Sequence, residues 1–413
     1  MIESNEELPA LIFEMKLLKL MKGFIRGKLK SSGYWKVGGP VSLVTVPPPK
    51  LPSKDWMVIK TVYCGICGSD IKELTLNGSR DNPLQTFLTF PQIMGHEAVG
   101  IVDQLGPNVK KYNIGDRVAI SPWFACKSRG IKPLCERCEI GDYVHCHNFQ
   151  KGLLPSGMHL GVTRGFGGFT SKFAVHESQA FLLPQSVSFE QAVLADPFAV
   201  AFHSILLLNP DPESTILVYG LGVIGLLAIH CLKNVFKVKK VLAIGKYSFQ
   251  EKFASELGAL KVFNSSKKDL IQDISAYLNA ELYTPKMGMQ WTMDGVDGII
   301  DTIASAETLE IGMRILNTRG KLVFLGVSNP KRCESTLHYF KELEIIGSNA
   351  YGIETFHEES MHAIAFFLRF LDQGLIETSQ FLTHSYELED YQEAFNTLTK
   401  KSRTEAIKVT FKF

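Results

Sequence analysis

The stretch VYGLGVIGLLAIH, residues 218–230, limits what this chain can fold into more than any other. Gly220, Gly222 and Gly225 make a G-x-G-x-x-G pattern. It follows the β-type run TILVYG and opens a helical pattern through Val223 and Ile224. Each glycine has its own physical reason: the first permits a tight turn, the second lets backbone approach a pyrophosphate, and the third allows close helix–strand packing. The N-terminus of the following helix attracts the anion. These five residues are therefore expected to bind a dinucleotide. A glycine-rich turn with no ligand is the competing reading.

The surrounding texture weighs against that alternative. From about residue 190 to 348, β-type runs alternate with helical stretches: KKVLAIG, LKVFNS, GIIDTI, GKLVFLG and LEIIGSN. Such alternation predicts an α/β domain with a doubly wound parallel sheet, the Rossmann architecture, over 191–349. Residues 41–190 read differently, as short β-type runs broken by glycine and proline, among them MVIKTVYC, AVGIVDQLG and GDRVAI. Together with the tail from 350 to 413, residues 1–190 are expected to form one β-rich domain. An additional segment, residues 11–30, carries Leu17, Leu18, Met21, Phe24 and Ile25 at helical spacing, with Lys16, Lys19, Lys22, Arg26 and Lys28 among them. It predicts a basic amphipathic helix. Packing on its own domain is favoured over contact with a membrane, because buried amphipathic helices are far commoner.

Composition removes several classes of function. The 413 residues carry a net charge of +2, which points to no nucleic acid or acidic polymer. No apolar run is long enough to span a bilayer. Glu3, Glu6 and Glu7 give the N-terminus the wrong sign for a secretory leader, so a cytoplasmic protein is expected. In a reducing compartment, eight cysteines read as metal ligands or core residues rather than disulfides.

Four of them, Cys126, Cys135, Cys138 and Cys146, lie within CKSRGIKPLCERCEIGDYVHC. Thiolates this dense predict a closed tetrahedral zinc site of structural role, because it leaves no open position. His145 and His147 flank the last cysteine and read as surface residues. The stretch YCGICGSD, residues 63–70, adds Cys64 and Cys67, and MGHEAVG adds His96 and Glu97.

The cysteine lobe, GHE, CGSD and G-x-G-x-x-G, in this chain, together resemble the zinc-dependent medium-chain alcohol and polyol dehydrogenases, in their threonine and sorbitol dehydrogenase-like branch. The resemblance covers nearly the whole chain from about residue 40. It implies a GroES-like fold for the β-rich domain, assembly as a homodimer or homotetramer, and two zinc ions per chain. It also makes Cys67 a ligand of a catalytic zinc, leaves Cys64 a buried strand cysteine, and gives Ser69 a proton-relay role. A catalytic zinc needs three protein ligands and one open position. Cys67 and His96 are joined by Asp196, from LADPFAVAFH, or by Glu97, and the sequence does not rank the two carboxylates. Eight residues separate Cys126 from Cys135, more than the family usually has, which leaves Cys126 the least certain lobe ligand. Asp70 reads equally as a helix-cap carboxylate and as a catalytic one.

The end of the second Rossmann strand bears on the cofactor. NAD binders place an acidic residue there to hold the ribose 2′-hydroxyl. Here Gly245 is followed by Lys246, a cation suited to a 2′-phosphate, so NADP is favoured over NAD. The expected function is hydride transfer between an alcohol or polyol, or the matching aldehyde or ketone, and a nicotinamide cofactor. A zinc-independent quinone or enone reductase of the same fold is disfavoured by the zinc-ligand set. A non-catalytic nucleotide-binding relative would bind cofactor without turnover. The loop 79–90 and the segment 351–357 are expected to line the substrate pocket; Phe87 and Phe90 read equally as an apolar wall and as hairpin or core packing.

Overall fold

The computed structural model describes residues 7–77, 79, 81–326 and 331–413. Glu3, Glu6 and Arg80 lie outside them. The chain divides into two compact units. One comprises residues up to Asp196 with Tyr351–Gln373 and Glu377–Phe413; the other comprises Pro197–Ala350 with Gly374–Ile376.

The second unit is built on a six-stranded sheet. Its order is Lys261–Asn264, Lys240–Gly245, Thr215–Tyr219, Val296–Asp301, Leu316–Leu325, Glu344–Ser348. Every neighbouring pair is parallel. In chain order this is third, second, first, fourth, fifth, sixth, the doubly wound order of a dinucleotide fold. The central strand Thr215–Tyr219 is buried along nearly its whole length, because helices cover both faces of such a sheet. That is why its sequence is a continuous apolar run with no alternation. The helix Val223–Asn234 starts three residues beyond Gly220, and its apolar stretch Leu226–Leu232 is buried. Leu217, Ile244, Ile299, Ile315 and Leu322 lie in one apolar core.

The first unit is dominated by β-structure. A sheet runs Leu382–Tyr386, Lys408–Lys412, Trp56–Gly65, Glu97–Leu105, Arg117–Ile120, Ala180–Leu182, and Lys172–His176 also pairs with Trp56–Gly65. Leu8–Phe13 pairs with Val41–Val46 and with Gln92–Ile93 in a second, smaller sheet. Trp56, Phe124 and Phe166 meet with ring centroids 5.3–6.0 Å apart. The C-terminal run reads as one strand in the sequence. Its importance lies in its partner: Thr410–Lys412 pairs antiparallel with Tyr63–Gly65, so the far end of the chain lies beside CGICGSD.

The expectation for residues 11–30 needs correction. Leu11–Phe13 belong to the strand Leu8–Phe13, and the helix runs only from Leu17 to Leu29. Of its apolar side chains, Leu20 packs on the domain and the other six point to solvent. Leu17 is 72 % and Leu18 is 73 % exposed, and Met21, Phe24, Ile25 and Leu29 are exposed as well. Glycines make the contact in their place: a Cβ at Gly23 would lie 2.8 Å from the Pro40 ring, and one at Gly27 would lie 2.3 Å from the Tyr34 ring. No helix among the described residues is long and apolar enough to cross a membrane.

Candidate active site

Cys67 ends the strand-to-helix connection after Trp56–Gly65 and caps the helix Gly68–Leu74. Its backbone N–H donates to Asp70 Oδ2 at 2.8 Å, so Asp70 performs the helix-cap role that was one of its two readings. Asp70 also faces His96, with Oδ1 3.7 Å from His96 Nδ1. His96 precedes the strand Glu97–Leu105, and Glu97 opens it. One ligand atom each of Cys67, His96 and Glu97 lies within 4.8 Å of the others. Asp196 is not in that group. It is buried nearby, accepting a hydrogen bond from the Tyr351 hydroxyl at 2.5 Å. Ser69 sits in the first helical turn and is exposed. Cys64 is fully buried in the strand, where burial pushes its thiol up.

The site holds more negative than positive groups. Burial alone would lower the pKa of His96, but Asp70, Cys67 and Asp196 outweigh it and hold it well above the ordinary value. Burial, with Glu97 adding to it, pushes Asp196 up to about 6, against the pull of His96 and Tyr351. His96 Nδ1 is also a buried polar atom with no hydrogen-bond partner, a gap that buried polar groups rarely leave. Thiolate, imidazole and carboxylate in one cluster are the donor types of a catalytic zinc.

Lys408 carried no signal in the sequence, where it reads as one lysine of a C-terminal strand. Its Nζ pairs with Glu97 Oε2 and donates to the Ile66 carbonyl at 3.2 Å. Both side chains are almost completely buried. Burial would lower the Lys408 ammonium, and Glu97, Cys67 and Asp196 raise it above its usual value. Room for the pair comes from Gly65, where a Cβ would fall 2.2 Å from Glu97 Oε2 and 2.6 Å from Lys408 Cε. His159 was also unforeseen. Its ring lies 5.2 Å from that of His96 and 5.0 Å from that of Trp123, and burial, then His96, lower it to about 3. Of the two phenylalanines read as either wall or packing, Phe87 packs on Phe149 beside the cysteine lobe, whereas Phe90 packs on Phe13 of the core. Phe90 is a packing residue.

The four lobe cysteines come together. Cys126 Sγ is 3.6 Å and Cys135 Sγ is 4.0 Å from Cys146 Sγ, and all four sulfurs fall within 4.8 Å of one another. Tetrahedral thiolates about 2.3 Å from zinc stand about 3.8 Å apart, so the spacing fits the ion. Backbone N–H groups of Cys135 and Asn148 point at Cys126 and Cys146, each at 3.4 Å, and Asn148 Nδ2 adds a contact to Cys126 at 3.2 Å. The long spacing after Cys126 is taken up by a loop around Arg129, which is fully buried. Its guanidinium donates to the carbonyls of Phe124, Lys151, Leu154, Pro155 and Gly157. Burial lowers it to about 10. The loop returns to its start through Ile131 N–H to Cys126 O at 2.9 Å. His145 and His147 are exposed and face Asp142 and Glu136, away from the sulfurs' ligand set.

In the second unit the glycine loop has the expected geometry. Gly220 has φ +97°, and Thr302 Oγ1 donates to its carbonyl at 3.0 Å. A Cβ at Gly225 would lie 1.9 Å from Gly220 O, so the helix approaches the turn as closely as backbone allows. A Cβ at Gly222 would meet nothing within 4 Å. That open space lies at the helix N-terminus, beside Val223 and Ile224, whose first-turn N–H groups have no side-chain cap. The cradle fits a pyrophosphate. Gly245 ends its strand, and Lys246 beyond it is exposed with Nζ 5.9 Å from the Tyr247 ring.

Fold and site together define a dehydrogenase with a metal-binding catalytic unit and a dinucleotide-binding unit. Residues 53–185 match the alcohol dehydrogenase GroES-like domain, and residues 223–365 match the zinc-binding dehydrogenase model. The chain belongs to the zinc-dependent medium-chain dehydrogenase family and is an alcohol dehydrogenase-type oxidoreductase. It is 27% identical over 354 residues to a sorbitol dehydrogenase of Bacillus subtilis, covering 86% of this chain and 89% of that one. With an L-threonine 3-dehydrogenase of Paraburkholderia phytofirmans it shares 29% identity over 359 residues, 87% of this chain and 92% of that one. An alcohol dehydrogenase of Escherichia coli, solved with NADH, superposes with a TM-score of 0.75 at 22% identity, covering 99% of this chain and 100% of that one.

Proposed function

We propose that this protein is a zinc-dependent dehydrogenase that oxidises a secondary hydroxyl of a polyol or related alcohol, and reduces the matching carbonyl, with NADP favoured over NAD. The observation that carries the reading is the buried group Cys67, His96 and Glu97, with His96 Nδ1 unpartnered beside Asp70. When bound, the zinc supplies Lewis acidity towards the substrate oxygen and the nicotinamide supplies the hydride acceptor.

The chain's own residues bind, orient and move protons. Cys67, His96 and Glu97 hold the catalytic zinc, and Asp196, held by Tyr351, is the alternative carboxylate to Glu97. Asp70 Oδ1 faces the His96 ring from 3.7 Å, where its charge favours the imidazole's orientation towards the site. Lys408 pairs with Glu97 and limits the repulsion among the buried carboxylates Glu97, Asp70 and Asp196. Ser69 Oγ, at the exposed end of the site, passes the substrate proton to solvent. Cys126, Cys135, Cys138 and Cys146 hold the structural zinc. Gly220, Gly222, Val223, Ile224 and Gly225 hold the pyrophosphate; Gly245 and Lys246 face the adenosine ribose. The relatives named sorbitol and threonine dehydrogenase support a substrate with a hydroxyl on a secondary carbon.

The test is nicotinamide absorbance on zinc-replete protein offered polyols, 3-hydroxy amino acids and simple alcohols, with each cofactor in turn. Turnover with one class, and a lower KM for NADP that Lys246→Ala abolishes, is expected. Equal KM values for NAD and NADP in the native protein contradict the cofactor assignment. Cofactor binding with no turnover across the panel supports a non-catalytic relative instead.

A further inference from the structure

We propose that the helix Leu17–Leu29 docks on an anionic phospholipid surface and makes this dehydrogenase a peripheral membrane protein. Six apolar side chains, Leu17, Leu18, Met21, Phe24, Ile25 and Leu29, are exposed on this one helix. At 3.6 residues per turn they fall within an arc of about 140°. The face that touches the protein is elsewhere. It is made by Leu20, Gly23 and Gly27, roughly 140° away around the cylinder. The two glycines let the helix lie against Pro40 and Tyr34 through its backbone, which turns the apolar arc outward. A helix meant to complete the core would present the other side.

The charge on this segment selects the occupant. Between Met15 and Pro40 the chain has seven basic residues and no acidic one, although its net charge overall is only +2. Lys16 and Lys19 are paired with Glu14. Lys22 and Arg26 border the apolar arc and are exposed. Lys28 lies within the arc, its Nζ 5.2 Å from the Phe24 ring, where a long stem reaches past apolar surface to a headgroup. An apolar face bordered by cations is the pattern of a helix that lies in the interface plane, its apolar side in the acyl boundary and its cations among anionic headgroups. A second copy of the chain fits less well, because a two-fold contact would set this basic face against itself.

Vesicle co-sedimentation of the full chain tests the proposal, using phosphatidylcholine alone and phosphatidylcholine with phosphatidylglycerol. Binding about tenfold stronger to the anionic vesicles is expected, falling as salt rises. The double variant L18N/I25N and the charge variant K22E should each lose most of that binding, with unchanged melting temperature and unchanged turnover in solution. Native protein that ignores anionic vesicles overturns the proposal, as do variants that bind equally well. So does a native oligomer that L18N/I25N dissociates without any vesicle binding in the native form; that result assigns the face to a second copy.

Discussion

At the residue scale, the catalytic cluster depends on one buried ion pair that joins opposite ends of the chain. Glu97 and Lys408 are 311 residues apart in sequence and almost fully buried together. Removing one partner of such a pair leaves an uncompensated charge and typically costs about 3–5 kcal/mol. Lys408→Met is therefore expected to lower the melting temperature markedly and to leave Glu97 without its counter-charge. An unchanged melting temperature would show that the pair contributes nothing. Gly65→Ala asks the same question more gently. The added methyl needs space 2.2 Å from Glu97 Oε2, so the expected result is loss of catalytic-site metal with the lobe metal retained. The ligand candidates were legible because cysteine, histidine and glutamate stand in recognisable local motifs. Lys408 was not, because nothing near it in sequence distinguishes a buried lysine from a surface one. Cys126 stood in doubt for a similar reason: its spacing to Cys135 says nothing about the path between, and the buried Arg129 that sets this path looks like any loop arginine.

At the scale of elements, two neutral imidazoles hold local structure and make it sensitive to acid. His362 Nδ1 accepts from Ile364 N–H at the start of the helix Ala363–Asp372, and His176 Nδ1 accepts from Ser178 N–H. Burial lowers the two to about 3 and about 4. Their folded values lie below the unfolded value near 6.5, so the unfolded state binds the extra protons in that window. The stability they contribute is complete above about pH 6.5 and is lost as the pH falls towards the folded values. His362→Asn keeps a capping acceptor without the titration. Its loss of stability between pH 7 and pH 5, by chemical denaturation, should be smaller than that of the native chain; equal losses would contradict the assignment. In the lobe, Arg129→Met leaves five carbonyls short of a donor. Each buried unsatisfied group costs on the order of 1–3 kcal/mol, so the variant should lose the lobe zinc and unfold at lower temperature. The strands were legible from their β-type runs and the Rossmann architecture from their alternation with helical stretches. The helix Leu17–Leu29 was legible as amphipathic. The direction of its apolar face was not, because periodicity fixes which side is apolar and the glycine contacts with Pro40 and Tyr34 decide which side is covered.

At the scale of the whole molecule, each unit brings its own half of the chemistry. The parallel sheet order and the open space over Gly222 supply the dinucleotide cradle. The β-rich unit supplies two groups of side chains that could hold a metal ion, with different makeup. Four sulfurs form a closed set that leaves no position free, whereas thiolate, imidazole and carboxylate leave a fourth position for substrate. That division was visible in the sequence, since the glycine pattern sits between alternating elements and the cysteines cluster before it. What sequence could not show was the set of contacts made across long separations: Tyr351 on Asp196, Asp70 on His96, and Lys408 on Glu97.

The most direct measurement is zinc stoichiometry, read with dehydrogenase turnover, on the native chain and on Cys67→Ser and Cys138→Ser. The account predicts two zinc ions per native chain. Cys67→Ser should keep the lobe ion and its melting temperature but lose turnover, while Cys138→Ser should lose the lobe ion and melt at lower temperature. Full turnover by Cys67→Ser after its catalytic-site zinc is shown to be gone would contradict the account.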